Sequence, residues 1–134
     1  MSFVGLHHVS VLSTDLERSV DFYSRLFDLT RLERPPFATA GAWFACGDLQ
    51  VHINVYPPGT FRGRGIDRDD GHFAFRTDDF EAFVARLQAN GFREDAAEDD
   101  PLRMVVVRRG LAGFPQVYLA DPDRNIIEVN SATL

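Results

Sequence analysis

Cysteine is almost missing from this sequence. Cys46 is the only one among 134 residues, so no disulfide can close within the chain, and a reducing, cytoplasmic setting is expected. Long apolar runs are missing too. Met104–Val107 is closed off by Arg103 and Arg108, far short of the ~20 residues that cross a bilayer as a helix. The opening Met-Ser-Phe-Val-Gly-Leu-His carries neither the basic nor the apolar stretch of a secretory leader; neither a membrane nor export is expected. Positive charge is in short supply: 14 basic side chains face 20 acidic ones, a formal net charge of −6. That balance repels a polyanion and argues against nucleic acid as a partner. What remains is ordinary globular composition, 45% apolar and 25% charged, at a length that suits one domain.

Along the chain, Leu6–Leu12 alternates, with Leu6, His8, Ser10 and Leu12 on one face and Val9 and Val11 on the other, which predicts a half-buried strand. The same alternation puts His7 on the face opposite His8. Thr14 or Asp15 can then cap a helix carrying Leu16, Val20, Tyr23 and Phe27, with Thr14-x-x-Glu17 as a capping box. Strands are expected near Thr30–Glu33, at Ala42–Ala45 and over Gln50–Tyr56. The span from Pro57 to Asp70 has no period of either kind and predicts a linker. Gly71–Arg76 repeats the opening alternation. Asp78-x-x-Glu81 is a second capping box before a stripe of Phe80, Phe83, Val84 and Leu87, and Asn90-Gly91 closes that helix. Phe92–Ala96, Met104–Arg108, Pro115–Ala120 and Ile126–Asn130 are further strand candidates.

The halves match. With His8 laid on His72, Asp15 and Asp78 follow at similar distances, each opening a helix, and the last strands overlay His52-Ile53-Asn54 on Glu128-Val129-Asn130. An internal duplication accounts for both overlaps and predicts an α+β fold of two βαβββ modules, about 5–56 and about 71–130, in a single domain of residues 1–134. Alternation places Val51, Ile53 and Val55 on one face and Gln50, His52 and Asn54 on the other. If the aliphatic and phenylalanine faces pack under the helices, the opposite faces carry His8, His52, His72 and Glu128. Each half gives one residue from its first strand and one from its last. Imidazole nitrogens and a carboxylate oxygen suit a divalent first-row metal. A lone histidine on a polar strand face is usually only solvated; here three of the four histidines fall at duplicate-related positions.

His8 with Asp15-Leu16-Glu17-Arg18-Ser19 and Phe22-Tyr23, then Gly71-His72-Phe73-Ala74-Phe75, and above all Asp121-Pro122-Asp123-Arg124-Asn125-Ile126-Ile127-Glu128 resemble the vicinal oxygen chelate superfamily. That superfamily includes glyoxalase, bleomycin-resistance and extradiol dioxygenase proteins. The resemblance runs from Leu6 to Asn130 and implies paired βαβββ modules forming a cupped, partly open, barrel-like sheet with helices outside. It implies metal ligation by His8, His72 and Glu128, with His52 where glyoxalase I enzymes carry a glutamate. A divalent ion (Fe, Mn, Ni, Co or Zn), a small-molecule substrate and a homodimer are the cofactor and partners it implies.

The departures narrow this. Leu12 and Tyr56 stand where glutathione-using glyoxalases tend to have arginine and asparagine, which weakens a lactoylglutathione substrate. Fosfomycin-modifying members resemble Gly71–Gly91 but continue well past their last ligand, whereas this chain stops at Leu134, and that assignment ranks lower. Asp-Pro-Asp-Arg-Asn replaces the more usual Asp-Pro-Asp-Gly, with Asn125 the residue expected to tolerate a left-handed conformation. A six-coordinate ion held by four protein donors leaves two positions for adjacent substrate oxygens, and Glu128, the sole carboxylate among the donors, is the candidate catalytic base. The leading expectation is a glyoxalase-like, metal-dependent lyase or isomerase acting on a small oxygenated metabolite. An Fe(II) extradiol-type dioxygenase and a metal-free drug-binding protein are the alternatives. Arg108 and Arg109 can hold a substrate carboxylate or simply line a solvated hairpin. Trp43 and Phe44 fill core or pocket wall, the face of Tyr118 depends on strand register, and the acidic loops Asp67–Asp70 and Glu98–Asp100 lack the ligand spacing of a calcium loop.

Overall fold

The structure is a computed structural model and describes residues 1–63 and 65–134. They cluster into two compact units, Met1–Thr60 and Phe61–Leu134, dividing inside the expected linker. The first holds β1 (His8–Ser13), α1 (Leu16–Phe27), β2 (Thr30–Leu32), β3 (Gly41–Cys46) and β4 (Leu49–Val55). The second repeats that order with β5 (His72–Arg76), α2 (Phe80–Ala89), β6 (Val105–Val107), β7 (Gln116–Ala120) and β8 (Ile126–Asn130). Two βαβββ modules are therefore present, as expected. Each makes a four-stranded mixed sheet, in the orders β1-β4-β3-β2 and β5-β8-β7-β6, and neither sheet closes into a barrel.

The duplication extends to register. In the first module β1 runs parallel to β4 with His8 opposite Gln50, two residues before His52. In the second β5 runs parallel to β8 with His72 opposite Ile126, two residues before Glu128. Across the antiparallel ladders Trp43 faces His52 and Tyr118 faces Glu128.

Alternation then separates core from site. Ala42, Phe44, Val51 and Ile53 are buried together with Phe22, Tyr23 and Leu26 of α1, which lies against β3 and β4. In the second unit Val117, Leu119, Ile127 and Val129 are buried, as are Phe80, Phe83, Val84 and Leu87 of α2. The buried stripe of α1 is centred on Ser19, Phe22, Tyr23 and Leu26. Leu16, Val20 and Phe27 are only half-buried at its flank.

Several local expectations need correction. Both helix caps sit one residue later than the capping boxes require. Asp15 accepts a hydrogen bond from the Arg18 amide at 3.1 Å, and Asp79 accepts from the Ala82 amide at 3.0 Å. Glu17 and Glu81 therefore fall one position short of the box, and Glu81 is left to pair with Arg108 instead. Removing the Asp79 cap by Asp79→Ala is expected to cost about 1 kcal/mol in chemical denaturation, whereas Asp78→Ala changes stability by less than about 0.5 kcal/mol.

The strand expected at Phe92–Ala96 is reduced to one bridge between Arg93 and Arg103. Beyond it the Arg103 guanidinium donates to the Ala96 carbonyl at 2.6 Å, so a side chain takes an acceptor that a ladder would have used. The left-handed residue of the Asp121–Asn125 turn is Arg124, with φ 68°, and not Asn125. Asn125 is held by the buried Asp121 carboxylate, which accepts from the Asn125 amide at 2.9 Å and from its Nδ2 at 2.8 Å. Arg124→Gly is expected to stabilise the protein by roughly 0.5–1 kcal/mol, because glycine takes that conformation without a Cβ clash. A lowered denaturation midpoint would contradict this.

Among the described residues no helix is long and apolar enough to cross a membrane.

Candidate functional site

The structure brings the four proposed ligands together in two pairs, one in each unit. In the first, the His8 and His52 rings stack with centroids 4.0 Å apart and planes 15° from parallel. The other face of His52 lies on Trp43, with centroids 4.2 Å apart and planes 6° from parallel. The imidazole is thus held between an indole and a second imidazole. His52 Nε2 donates to Gln50 Oε1 at 2.8 Å, which leaves Nδ1 as the lone-pair nitrogen of the neutral ring. Burial first, and then the charges of His8, His7 and Arg34, hold the His52 pKa below its ordinary value. His52 therefore favours the neutral form that a metal requires. Nearly parallel rings send their in-plane lone pairs side by side, so His8 and His52 can share one ion only after one ring turns.

His7 is not on the far face. It precedes β1, escapes the strand's alternation, and sets its Nδ1 2.9 Å from His8 Nδ1.

In the second unit, His72 Nε2 lies 3.3 Å from Glu128 Oε2. His72 Nδ1 donates to the Asp70 carbonyl at 2.8 Å, which fixes the ring and leaves Nε2 as the lone pair of the neutral imidazole. Tying the second ring nitrogen in this way is what a metal-binding histidine needs. Two donor atoms about 2.1 Å from a shared ion lie roughly 3.0–3.4 Å apart at octahedral or tetrahedral angles, so the spacing fits such a role.

Glu128 is buried, and its Oε1 accepts from Asn130 Nδ2 at 2.8 Å and from Gln116 Nε2 at 3.1 Å. Burial alone raises a carboxyl pKa. Here hydrogen bonds from Asn130, Gln116 and Tyr118 and the His72 charge outweigh it, and the net shift is downward. The group is an anchored carboxylate at neutral pH. Tyr118 moves the other way: burial, then Glu128, pushes its phenol up, so it remains a hydrogen-bond donor. Among the described residues no three or more His, Cys, Asp or Glu side chains are gathered at metal-ligand spacing.

Beside the second pair is a cavity of about 920 Å³ whose lining includes Arg62, Arg68, Asp70, Arg103, Tyr118 and Ile126, a size usual for small-molecule sites. Other residues considered in the sequence have different duties. Arg108 is bound by both Glu81 oxygens at 2.8 and 3.2 Å and is committed within the protein. Phe44 is core, whereas Trp43 is wall to His52. Gln50, Gln116 and Asn130 are hydrogen-bond partners of His52 and Glu128 that the sequence motifs do not mark. Gln50 and Asn130 each lie two residues from a donor on the same strand face, a period-two signal that was available. Gln116 is found only through its pairing with Asn130.

The family model described as the Glyoxalase/Bleomycin resistance protein/Dioxygenase superfamily matches residues 5–129. The chain belongs to this superfamily. Among curated relatives of this superfamily member, Glyoxylase I 4 of Arabidopsis thaliana is 25% identical over 132 residues, covering 96% of this chain and 71% of that protein. Glutathione transferase FosA of Serratia marcescens is 27% identical over 132 residues, covering 97% of this chain and 82% of that protein. The FosA match thus runs along almost the whole superfamily domain and not only over Gly71–Gly91. A solved structure of a FosX variant from Listeria monocytogenes, complexed with Mn(II) and a dihydroxypropylphosphonic acid, shares the fold at a TM-score of 0.71 and 18% identity. It covers 99% of this chain and 95% of that one.

Proposed function

We propose that this protein is a glyoxalase-like, metal-dependent lyase or isomerase in which His8, His52, His72 and Glu128 hold one divalent ion, Fe, Mn, Ni, Co or Zn. The observation that carries the reading is the duplicated register: each first-strand histidine sits two residues along the parallel ladder from a potential donor, His52 in one module and Glu128 in the other. The two modules then serve one site and the chain acts as one domain.

A bound divalent ion supplies Lewis-acid polarisation of adjacent substrate oxygens. His72, its Nδ1 tied to Asp70, presents Nε2. Glu128, fixed through Oε1 by Gln116 and Asn130, would contribute the negative charge, and its Oε2 would accept a substrate proton on leaving the ion transiently. Its lowered pKa makes it a weaker base than an ordinary glutamate, so it would suit only a substrate proton that is itself acidic. Tyr118 donates beside it, and the cavity lined by Arg68 and Tyr118 offers the space for a small substrate. A homodimer, a habit of the family, is part of the proposal; sedimentation giving only monomer at high concentration contradicts that part.

The His52 stack favours a second reading. While His52 stays between Trp43 and His8, the remaining His8, His72 and Glu128 form a two-histidine, one-carboxylate set, which suits a non-haem Fe(II) oxygenase. The test is turnover with different ions across a panel of vicinal diols, hydroxyketones and epoxides. Turnover with redox-inert Zn or Ni supports the lyase or isomerase, and Fe-dependent oxygen uptake with a catechol supports the second reading. Failure to hold any divalent ion overturns both and leaves a metal-free binding protein.

A further inference from the structure

Arg34 is a half-buried cation without an acceptor. Its Nε is shut off from solvent and has no hydrogen-bond partner, and no carboxylate or carbonyl bonds its guanidinium among the described residues. Buried guanidinium groups are ordinarily paired, since removing them from water without compensation is unfavourable. The pose is nevertheless built into the fold. β2 runs opposite β3 with Leu32 facing Trp43, and just past its end Arg34 comes against Gly41. A Cβ at Gly41 would stand 2.9 Å from both Arg34 Cζ and Nε and would also collide with the Ile53 carbonyl. The missing side chain is what lets the guanidinium lie against the backbone. Phe37 covers the group, with its ring centroid 4.9 Å from Cζ, and Phe37 in turn meets Trp43 at 6.0 Å. A continuous wall therefore runs from Arg34 through Phe37 and Trp43 to His52, and the Arg34 charge is felt at the His52 imidazole.

We propose that Arg34 recognises an oxyanion, a carboxylate or phosphonate, on the oxygenated metabolite whose adjacent oxygens bind the ion. The substrate class rests on the reading of His8, His52, His72 and Glu128 as the metal site. The terminal guanidinium nitrogens present paired N–H donors that match such a group bidentately, while the inner edge is fixed by Gly41 and Phe37. The chain contains no lysine, so every side-chain cation able to serve is an arginine. Arg62 and Arg108 are already paired with Asp70 and Glu81. Arg68 follows Asp67 and precedes Asp69 and Asp70, carboxylates that oppose a second anion. Arg34 follows Glu33, yet no carboxylate bonds its guanidinium among the described residues.

The test uses metal-free full-length protein titrated with methylphosphonate and, separately, with acetate. The shielded Arg34 Nε–H provides the NMR reporter. Saturable movement of that resonance, with half-saturation on the order of 1–10 mM for the preferred probe, is expected. Weakening by about 10-fold or more in Arg34→Gln is also expected, with partial retention in Arg34→Lys. Tighter methylphosphonate assigns a phosphonate substrate, and tighter acetate a carboxylate. No saturable shift with either probe, or equal binding by Arg34→Gln with the remaining spectrum unchanged, overturns the proposal. Because no metal is present, this outcome is independent of whether the four donors hold an ion.

Discussion

Glu128→Gln is expected to weaken divalent-metal binding by at least about 100-fold while leaving the fold intact. Loss of groups that merely support a metal ligand already costs 10–100-fold, and Glu128 is the only anionic member of the proposed donor set. Glutamine keeps the volume, and its carbonyl oxygen can still accept from Gln116 Nε2 and Asn130 Nδ2, now 3.1 and 2.8 Å from Glu128 Oε1. The charge is the main thing lost. Calorimetric titration with Mn(II) or Ni(II) reads the affinity, and a thermal melt of the metal-free protein checks the fold. Equal affinity in variant and parent would remove Glu128 from the site. A collapse of the metal-free melt would instead mean that the carboxylate is structural, held for its network with Asn130, Gln116 and Tyr118.

Adjacent residues on β3 are expected to fail in different ways. Phe44 is fully buried against the helix side of its sheet, and Phe44→Ala should cost about 3–5 kcal/mol, from lost transfer energy and the cavity left behind. Trp43 points the other way and is half-buried over His52. Trp43→Ala is expected to cost only roughly 1–2 kcal/mol and to let the His52 pKa rise toward its ordinary value, because burial is the largest cause of its depression. Urea denaturation and histidine NMR titration separate the two effects. A large stability loss with no change at His52 in the Trp43 variant would make that indole simply core.

The period-two pattern carried most of what was legible. It assigned Val51 and Ile53 to the core and His52 and Glu128 to the opposite faces, because in a strand neighbouring side chains must diverge, but Trp43 and Phe44 stayed together as core or pocket wall. It misplaced His7, which lies before the strand where the rule has no force. Asp15 was one of the two caps the sequence offered for the first helix, while the second cap is Asp79 in place of Asp78; adjacent acceptors compete for the same amides and only backbone geometry decides between them. The strand at Phe92–Ala96 was unreadable for a related reason, since its acceptor goes to Arg103, eleven residues from Phe92 in the chain. The stack of Trp43, His52 and His8 and the isolation of Arg34 depend on side-chain rotamers and ladder register together, which one sequence does not encode locally.

The most direct measurement is the stoichiometry and ligand set of the bound ion. Protein labelled with ¹⁵N-histidine, stripped of metal and reloaded with Mn(II), is examined by pulsed electron paramagnetic resonance. The account predicts one ion per chain coupled to imidazole nitrogen from His8 and from His72, each coupling vanishing in the corresponding alanine variant. No retained ion, or an ion whose nitrogen couplings survive both His8→Ala and His72→Ala, would contradict it.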